Sequence, residues 1–84
     1  MTEISVLFFA NLAEEVGRRQ ARIQLEEPTL SGLRAALAAE LSADAIDALN
    51  AENVRIARNH EMWDGSTPLA HGDEVAFLPP VTGG

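Results

Sequence analysis

The 84-residue sequence predicts one small α+β domain, in which a single long helix packs across one face of a mixed β-sheet. Two patterns indicate this fold class. Short runs of β-forming residues alternate apolar and polar side chains, as half-buried strands do. Between these runs, residues 28–41 carry leucines at three- and four-residue steps, which is the spacing of one apolar helix face. The helix and the strands can bury their apolar faces only against each other.

The first third of the chain predicts two strands, at 3–10 and 20–25, joined by a short helix over residues 11–17. Asn11 is expected to cap this helix, and Gly17 is expected to end it in a left-handed conformation. Because side chains alternate along a strand, one face of each strand points inward. The inward residues are Ile4, Val6, Phe8, Ala21, Ile23 and Leu25.

The long helix is predicted to start after Pro28, with Thr29 as its N-cap. Gly32 lies in its first turn and is expected to cost up to about 1 kcal/mol relative to alanine. A further helical turn is predicted over residues 42–50. The leucines of the long helix that form its apolar stripe are Leu30, Leu33, Leu37 and Leu41, and Ile46 and Leu49 face inward in the turn that follows.

The last third predicts a strand at 53–58, a tight turn at 59–61, a short strand around Met62-Trp63, turns over 64–73 and a final strand at 74–79. The inward residues of these strands are Val54, Ile56, Val75 and Phe77. This order of elements is that of a ubiquitin-like β-grasp, whose first and last strands are neighbours at the centre of the sheet. We therefore assign residues 1–79 to the domain and residues 80–84 to an extended C-terminal tail.

The net charge of −7 argues against nucleic acid as a partner, because a phosphate backbone would repel so acidic a domain. A basic protein surface suits this charge better. No apolar run approaches the roughly 20 residues of a membrane span, so no membrane partner is predicted. The first residues lack the basic region of a signal peptide. Together with the absence of cysteine, which suits a reducing compartment, these features predict a cytoplasmic protein.

The side chains offer little catalytic chemistry. Without cysteine there is no disulfide framework, thiolate zinc site or cysteine nucleophile. No phosphate-binding glycine motif is present, so no nucleotide site is predicted. All six basic residues are arginines, and copies of the chain cannot be linked through lysine. The adjacent pairs Glu14-Glu15 and Glu26-Glu27 do not face each other on a helix or strand, which indicates charged surface rather than a carboxylate pair.

Two histidines could suggest a metal site. His60 and His71 both lie in predicted turns, and a metal would need Asp64 or Asp73 as further ligands. Zinc takes three or four clustered ligands, whereas isolated histidines in turns are usually solvated. We therefore predict neither a metal site nor a catalytic residue in this chain.

The chemistry is expected in the final segment, "LPPVTGG". Pro79-Pro80 fixes φ and favours an extended path, and the four following residues reach at most about 14 Å. Gly83-Gly84 removes every Cβ, so the tail can pass through a narrow channel and present a carboxylate inside another protein. A carboxylate reacts only after activation, for instance as an acyl-adenylate. If sulfur then replaces oxygen, Gly84 holds a transferable sulfur as a thiocarboxylate.

The segments "VLFFA" and "GDEVAFLPPVTGG" (72–84), with the helix between them, resemble the sulfur-carrier small subunit of molybdopterin synthase. The resemblance implies that an adenylating enzyme uses ATP to activate Gly84 and that a sulfur donor system converts it to the thiocarboxylate. It implies no cofactor bound by the chain itself. The tail, residues Pro80, Val81, Thr82 and Gly83, would insert into the large catalytic subunit, where sulfur passes to cyclic pyranopterin monophosphate. The family assembly is a heterotetramer with a central dimer of large subunits.

Strand alternation also predicts an apolar patch on the sheet face away from the helix, and an exposed apolar patch is typical of a docking surface. Leu7, Ala76 and Met62 are expected on this face. The resemblance implies that Phe9, Met62 and Leu78 contact the large subunit; the family often has a second phenylalanine where this chain has Leu78. Arginines, Arg34 among them, could meet acidic partner residues, and the sequence does not choose among them.

Three other functions stay open from the sequence. The chain could carry sulfur for thiamine or cysteine biosynthesis or for tRNA thiolation. It could be a protein modifier, joined to target lysines by an isopeptide bond. It could also be a binding module with an inert tail, in which case deletion of Gly84 would leave its activity intact.

Overall fold

The computed structural model describes residues 1–79. Its elements follow the predicted order: β1 (Thr2–Phe8), α1 (Asn11–Val16), β2 (Gln20–Leu25), α2 (Leu30–Glu40), α3 (Ala43–Leu49), β3 (Arg55–Arg58), β4 (Glu61–Met62) and β5 (Glu74–Leu78). Within this part of the chain the strands form one mixed sheet in the order β2-β1-β5-β3-β4. β1 and β5 are parallel neighbours at its centre, and the other pairs are antiparallel. The predicted α+β architecture is confirmed.

The core lies between the sheet and the helices. The register places Val6 beside Val75 and Phe8 beside Phe77, and the two phenylalanine rings stack with their centroids 6.0 Å apart. Leu33 and Leu37 of α2 are buried in the same hydrophobic cluster, as the leucine spacing predicts. Each fully buried side chain of this size stabilises the fold by roughly 1.5–3 kcal/mol. None of the helices described over residues 1–79 is both long and apolar enough to cross a membrane.

Side chains cap two of the three helices described. The Thr29 hydroxyl accepts a hydrogen bond from the Gly32 N–H (3.0 Å), which confirms the predicted cap of α2, and Ser42 caps α3 in the same way. The predicted cap of α1 by Asn11 is wrong, because the N-cap is Ala10 and Asn11 lies in the first turn. β1 ends at Phe8, and Ala10, two residues later, has a positive φ of 51°.

Gly32 is required rather than tolerated. A Cβ built at this position would lie 1.9 Å from the carbonyl oxygen of Glu27, a distance that no real contact allows. The chain before α2 folds back over the first turn, with Thr29 N–H bonded to Glu27 (2.8 Å). The expectation that alanine would be better here considered helix propensity alone and is wrong for this site.

Other differences from the sequence prediction are small. Val54 is half-buried but precedes β3, because its N–H bonds to Ala51 in a turn. In α3 the buried residues are Ala45 and Leu49, and Ile46 is only half-buried against the core. The predicted tail, residues 80–84, lies outside the described residues.

Candidate functional site

The sheet face away from α2 carries an apolar row across its strands. The register places Leu7, Ala76, Ala57 and Met62 side by side on β1, β5, β3 and β4. The two alanines are 9% and 8% exposed, whereas Met62 is 61% exposed. The predicted outward position of Ala76 is confirmed, although this small side chain is buried among its neighbours. The row therefore has a shallow centre with a projecting methionine at its edge.

The three predicted docking residues, Phe9, Met62 and Leu78, all lie on or beside this face, and we call them the docking patch. Phe9 follows β1 and donates its N–H to the Phe77 carbonyl (3.2 Å), which holds it beside the end of β5. Its side chain is 43% exposed. Leu78 is half-buried and is the last residue of β5. The patch thus surrounds the point where the chain leaves the sheet towards Pro79. Its contact with a partner stays a prediction.

Sequence reasoning missed one residue of this surface, Arg55. It opens β3 directly opposite Leu78 and is exposed. Strand alternation could have identified it, because its neighbour Ile56 is one of the predicted inward residues. The structure therefore adds a cation to the apolar patch.

The opposite end of the same face is polar. Arg22 of β2 lies 3.9 Å from Glu3 of β1, and His60 lies 3.6 Å from Glu74 of β5. Arg22 and His60 are largely solvent-exposed and the two glutamates are half-buried, so such contacts contribute little to stability. Arg22 and Glu3 offset one another's charge, and this end of the face lacks the apolar character of the docking patch.

Asp73 is a buried carboxylate that links the loop before β5 to the β3–β4 hairpin. Its Oδ2 accepts from Arg58 Nε (2.8 Å) and from the Ala70 N–H (2.9 Å). Its Oδ1 accepts from the Asn59 side chain (3.0 Å), which in turn accepts from the Glu74 N–H (3.0 Å). Asp73 as a whole residue is only 8% exposed. This network fixes the start of β5, and so the strand that leads to the tail.

The electrostatics of Asp73 follow from these contacts. Burial acts to raise the pKa of Asp73, but hydrogen bonds from Ala70 and Asn59, with the charge and hydrogen bond of Arg58, outweigh burial and lower this pKa below its ordinary value. Asp73 is therefore an ionised structural residue. Its hydrogen bonds are all within the fold, which argues against the metal-ligand interpretation.

The other candidate metal ligands are dispersed. His71 Nδ1 accepts the Glu3 N–H (3.1 Å). The Ser66 side chain, and with it the Ser66 N–H that Asp64 accepts (2.9 Å), lowers the pKa of Asp64 by hydrogen bonding. His60 lies at the β3–β4 turn with a positive φ of 72°. Over residues 1–79, the structure brings no three histidine or carboxylate side chains together as a metal site.

The residues predicted to carry the chemistry lie outside the described residues. They are Pro80, Val81, Thr82, Gly83 and Gly84. The structure describes the strand that precedes them. β5 is paired on both sides, by β1 and β3, and the docking patch lies around its end.

Comparison with known proteins supports this description. The family model described as the ThiS family matches residues 6–84. The Escherichia coli protein named molybdopterin synthase sulfur carrier subunit is 42% identical over 81 residues, which cover 96% of this chain and 99% of that protein.

Solved structures agree on the fold. The crystal structure of small archaeal modifier protein 1 from Haloferax volcanii superposes with a TM-score of 0.77 at 26% identity, covering 96% of this chain and all of that one. A chain of the complex of subunits 1 and 2 of molybdopterin-converting factor from Helicobacter pylori gives a TM-score of 0.70 at 28% identity, covering 99% of this chain and 100% of that one. The fold is the ubiquitin-like β-grasp. Since both its sequence and its fold match along nearly their whole length, this chain belongs to the ThiS family.

Proposed function

We propose that this chain is the sulfur-carrier subunit of a molybdopterin synthase. The observation that carries the proposal is the 42% identity, over nearly the whole of both chains, to a protein of that name. The family match also extends through Gly84. The side chains described here offer a docking surface and no catalytic constellation, which suits a carrier that supplies sulfur while its partners supply catalysis.

The proposed cycle begins at the Gly84 carboxylate. A partner enzyme transfers AMP from ATP to one carboxylate oxygen and releases pyrophosphate. Sulfur delivered by the donor system at the oxidation level of sulfide attacks the acyl carbon, and AMP leaves. Glycine favours this attack because no side chain hinders the carbonyl. Because ATP is consumed, we expect loading to take place in the cytoplasm.

Sulfur transfer then takes place in the large subunit. The thiocarboxylate sulfur bonds to a carbon of cyclic pyranopterin monophosphate, and an oxygen substituent of that carbon leaves as its carbon–oxygen bond breaks. Water then cleaves the acyl–sulfur bond, which restores the Gly84 carboxylate and leaves sulfur on the substrate. Two such transfers form the dithiolene of molybdopterin. We propose that the docking patch binds the large subunit and that the tail enters its active site. The complex of two molybdopterin-converting-factor subunits supports this arrangement, and we propose a heterotetramer.

Similarity to small archaeal modifier protein 1 favours one second function, that of a protein modifier. The two functions use the same activated Gly84 and differ in the acceptor. A modifier forms an isopeptide bond with a lysine of another protein, and a carrier gives up sulfur and is regenerated. The higher identity to the sulfur carrier subunit favours the carrier.

The test is the intact mass of the chain after expression with its activating system. We expect replacement of one oxygen by one sulfur, and no such change when Gly84 is deleted or when the activating enzyme is absent. Gly84 found in isopeptide linkage to other proteins, with no sulfur on the free chain, would instead establish the modifier function.

A further inference from the structure

One arginine stands apart from the other five because of its place on the sheet. Arg55 pairs in register with Leu78, and Ala57, two residues further on, belongs to the same outward face. Its side chain must point outward because the residue between them, Ile56, is buried against Phe77 on the core side. Arg55 therefore lies inside the docking patch, next to the residue from which the tail departs.

Arg55 also lacks a partner among residues 1–79. No ion pair or side-chain hydrogen bond is formed by its guanidinium there. Arg58 is bound to Asp73, Arg22 lies 3.9 Å from Glu3, and Arg34 donates to Asn50 on the helical side of the sheet. Arg18 and Arg19 form no such contact among residues 1–79 either, but they precede β2, whereas Arg55 lies on a strand paired with β5. Arg55 is thus a cation held against an apolar surface in a domain whose net charge is −7.

Because of this position, any partner that covers the docking patch has to compensate the charge of Arg55. When the patch docks, the guanidinium leaves water, and a buried charge without a partner is strongly unfavourable. Backbone carbonyls could satisfy its donors but not its charge. A carboxylate satisfies both, and its two oxygens match the planar fork of arginine.

We propose that Arg55 is a specificity-determining residue that pairs with a carboxylate of the large subunit beside the entrance for the tail. The inference rests on the proposed function. An apolar contact alone is non-directional, whereas a charge pair at the base of the tail fixes how the carrier is oriented on its partner.

The test measures binding of Arg55→Gln, Arg55→Lys and Arg55→Glu to the large subunit from the same organism by calorimetry. We expect Arg55→Glu to weaken binding about tenfold or more, Arg55→Gln to weaken it less, and Arg55→Lys to stay closest to the unmodified chain. The difference between Arg55→Glu and the unmodified chain should shrink at high salt.

The matched controls are Arg22→Gln and Arg22→Glu, which make the same charge changes on the same face at its polar end. We expect each to change affinity by less than about threefold. Melting temperatures of all five variants establish that the fold is kept, which an exposed position should allow.

A charge-reversal experiment identifies the carboxylate of the large subunit that pairs with Arg55. Reversal of single acidic residues of the large subunit to arginine should restore binding of Arg55→Glu at one site and at no other. Equal effects of Arg55→Glu and Arg22→Glu, or Arg55→Glu binding as tightly as the unmodified chain, would overturn the inference while leaving the proposed function intact. An unmodified chain that does not bind the large subunit at all would overturn the proposed function, and this inference with it.

Discussion

At the scale of single residues, Asp73 is the one buried charged or polar residue among residues 1–79. It receives hydrogen bonds from a backbone amide, an asparagine and an arginine, and it is almost fully buried. A carboxylate in that position is stable only because each contact favours its charged form. β5, the strand that leads to the tail, starts at the next residue, so loss of this network would destabilise the start of that strand.

We expect Asp73→Asn to lower the free energy of unfolding by about 2–3 kcal/mol at neutral pH, because charge-assisted hydrogen bonds within the fold are lost. Since the folded-state pKa of Asp73 is lowered, its contribution is fully present above the unfolded-state pKa of about 3.9 and is lost as pH falls through the folded value. Urea unfolding at several pH values measures the size of this loss and its pH dependence. The free energies of unfolding of Asp73→Asn and of the unmodified chain should therefore converge in strong acid.

The control for this prediction is Asp64→Asn, which removes an exposed carboxylate from the neighbouring turn. It should leave the free energy of unfolding nearly unchanged, because the carboxylate is exposed to solvent. A constant difference between Asp73→Asn and the unmodified chain from pH 7 to pH 2 would show that the charge of Asp73 is not what stabilises the fold.

At the scale of elements, α2 starts where the preceding chain crosses it, and Gly32 permits that crossing. Helix propensity alone predicts that Gly32→Ala gains up to about 1 kcal/mol. We expect the opposite, a loss of about 1–3 kcal/mol, because the new Cβ overlaps the Glu27 carbonyl and backbone must shift. Chemical denaturation of Gly32→Ala beside Ser31→Ala, an exposed change in the same turn, separates the two effects. A more stable Gly32→Ala would contradict the structure.

The outward face of the sheet is the element that we expect to bind a partner. Phe9→Ala and Met62→Ala should each weaken binding of the large subunit by about tenfold, because exposed aromatic and methionine side chains are typical anchors of an interface. Gln24→Ala, at the polar end of the face, serves as the control. If all three variants bind alike, the interface lies elsewhere. Their thermal unfolding should be close to that of the unmodified chain.

At the scale of the whole molecule, local patterns predicted most of the fold. Alternation identified the buried faces of β1, β2 and β5, and leucine spacing identified the buried face of α2, because both are properties of neighbouring residues. Asp73 could not be recognised as buried from the sequence, since its partners Arg58 and Asn59 reach it only through the pairing of β3 with β5. The same pairing places Arg55, one of six arginines, opposite Leu78 on the outward face of the sheet.

The fold and the proposed function divide the work between two parts of one chain. In the proposed function, the β-grasp domain supplies an acidic body with an apolar docking patch, and Gly84 supplies the reacting group. The proposal therefore assigns stability and docking to residues 1–79 and chemistry to Gly84. Variants of the domain should change affinity, whereas loss of Gly84 should abolish sulfur transfer without changing the free energy of unfolding of the domain.

The most direct test of the central claim follows the mass of the thiocarboxylated chain during a single turnover with the large subunit and cyclic pyranopterin monophosphate. We expect the sulfur to be replaced by oxygen only when both are present, while sulfur appears in the pterin product. A thiocarboxylate that persists with both present, or a chain that never acquires sulfur from its activating system, would contradict the account.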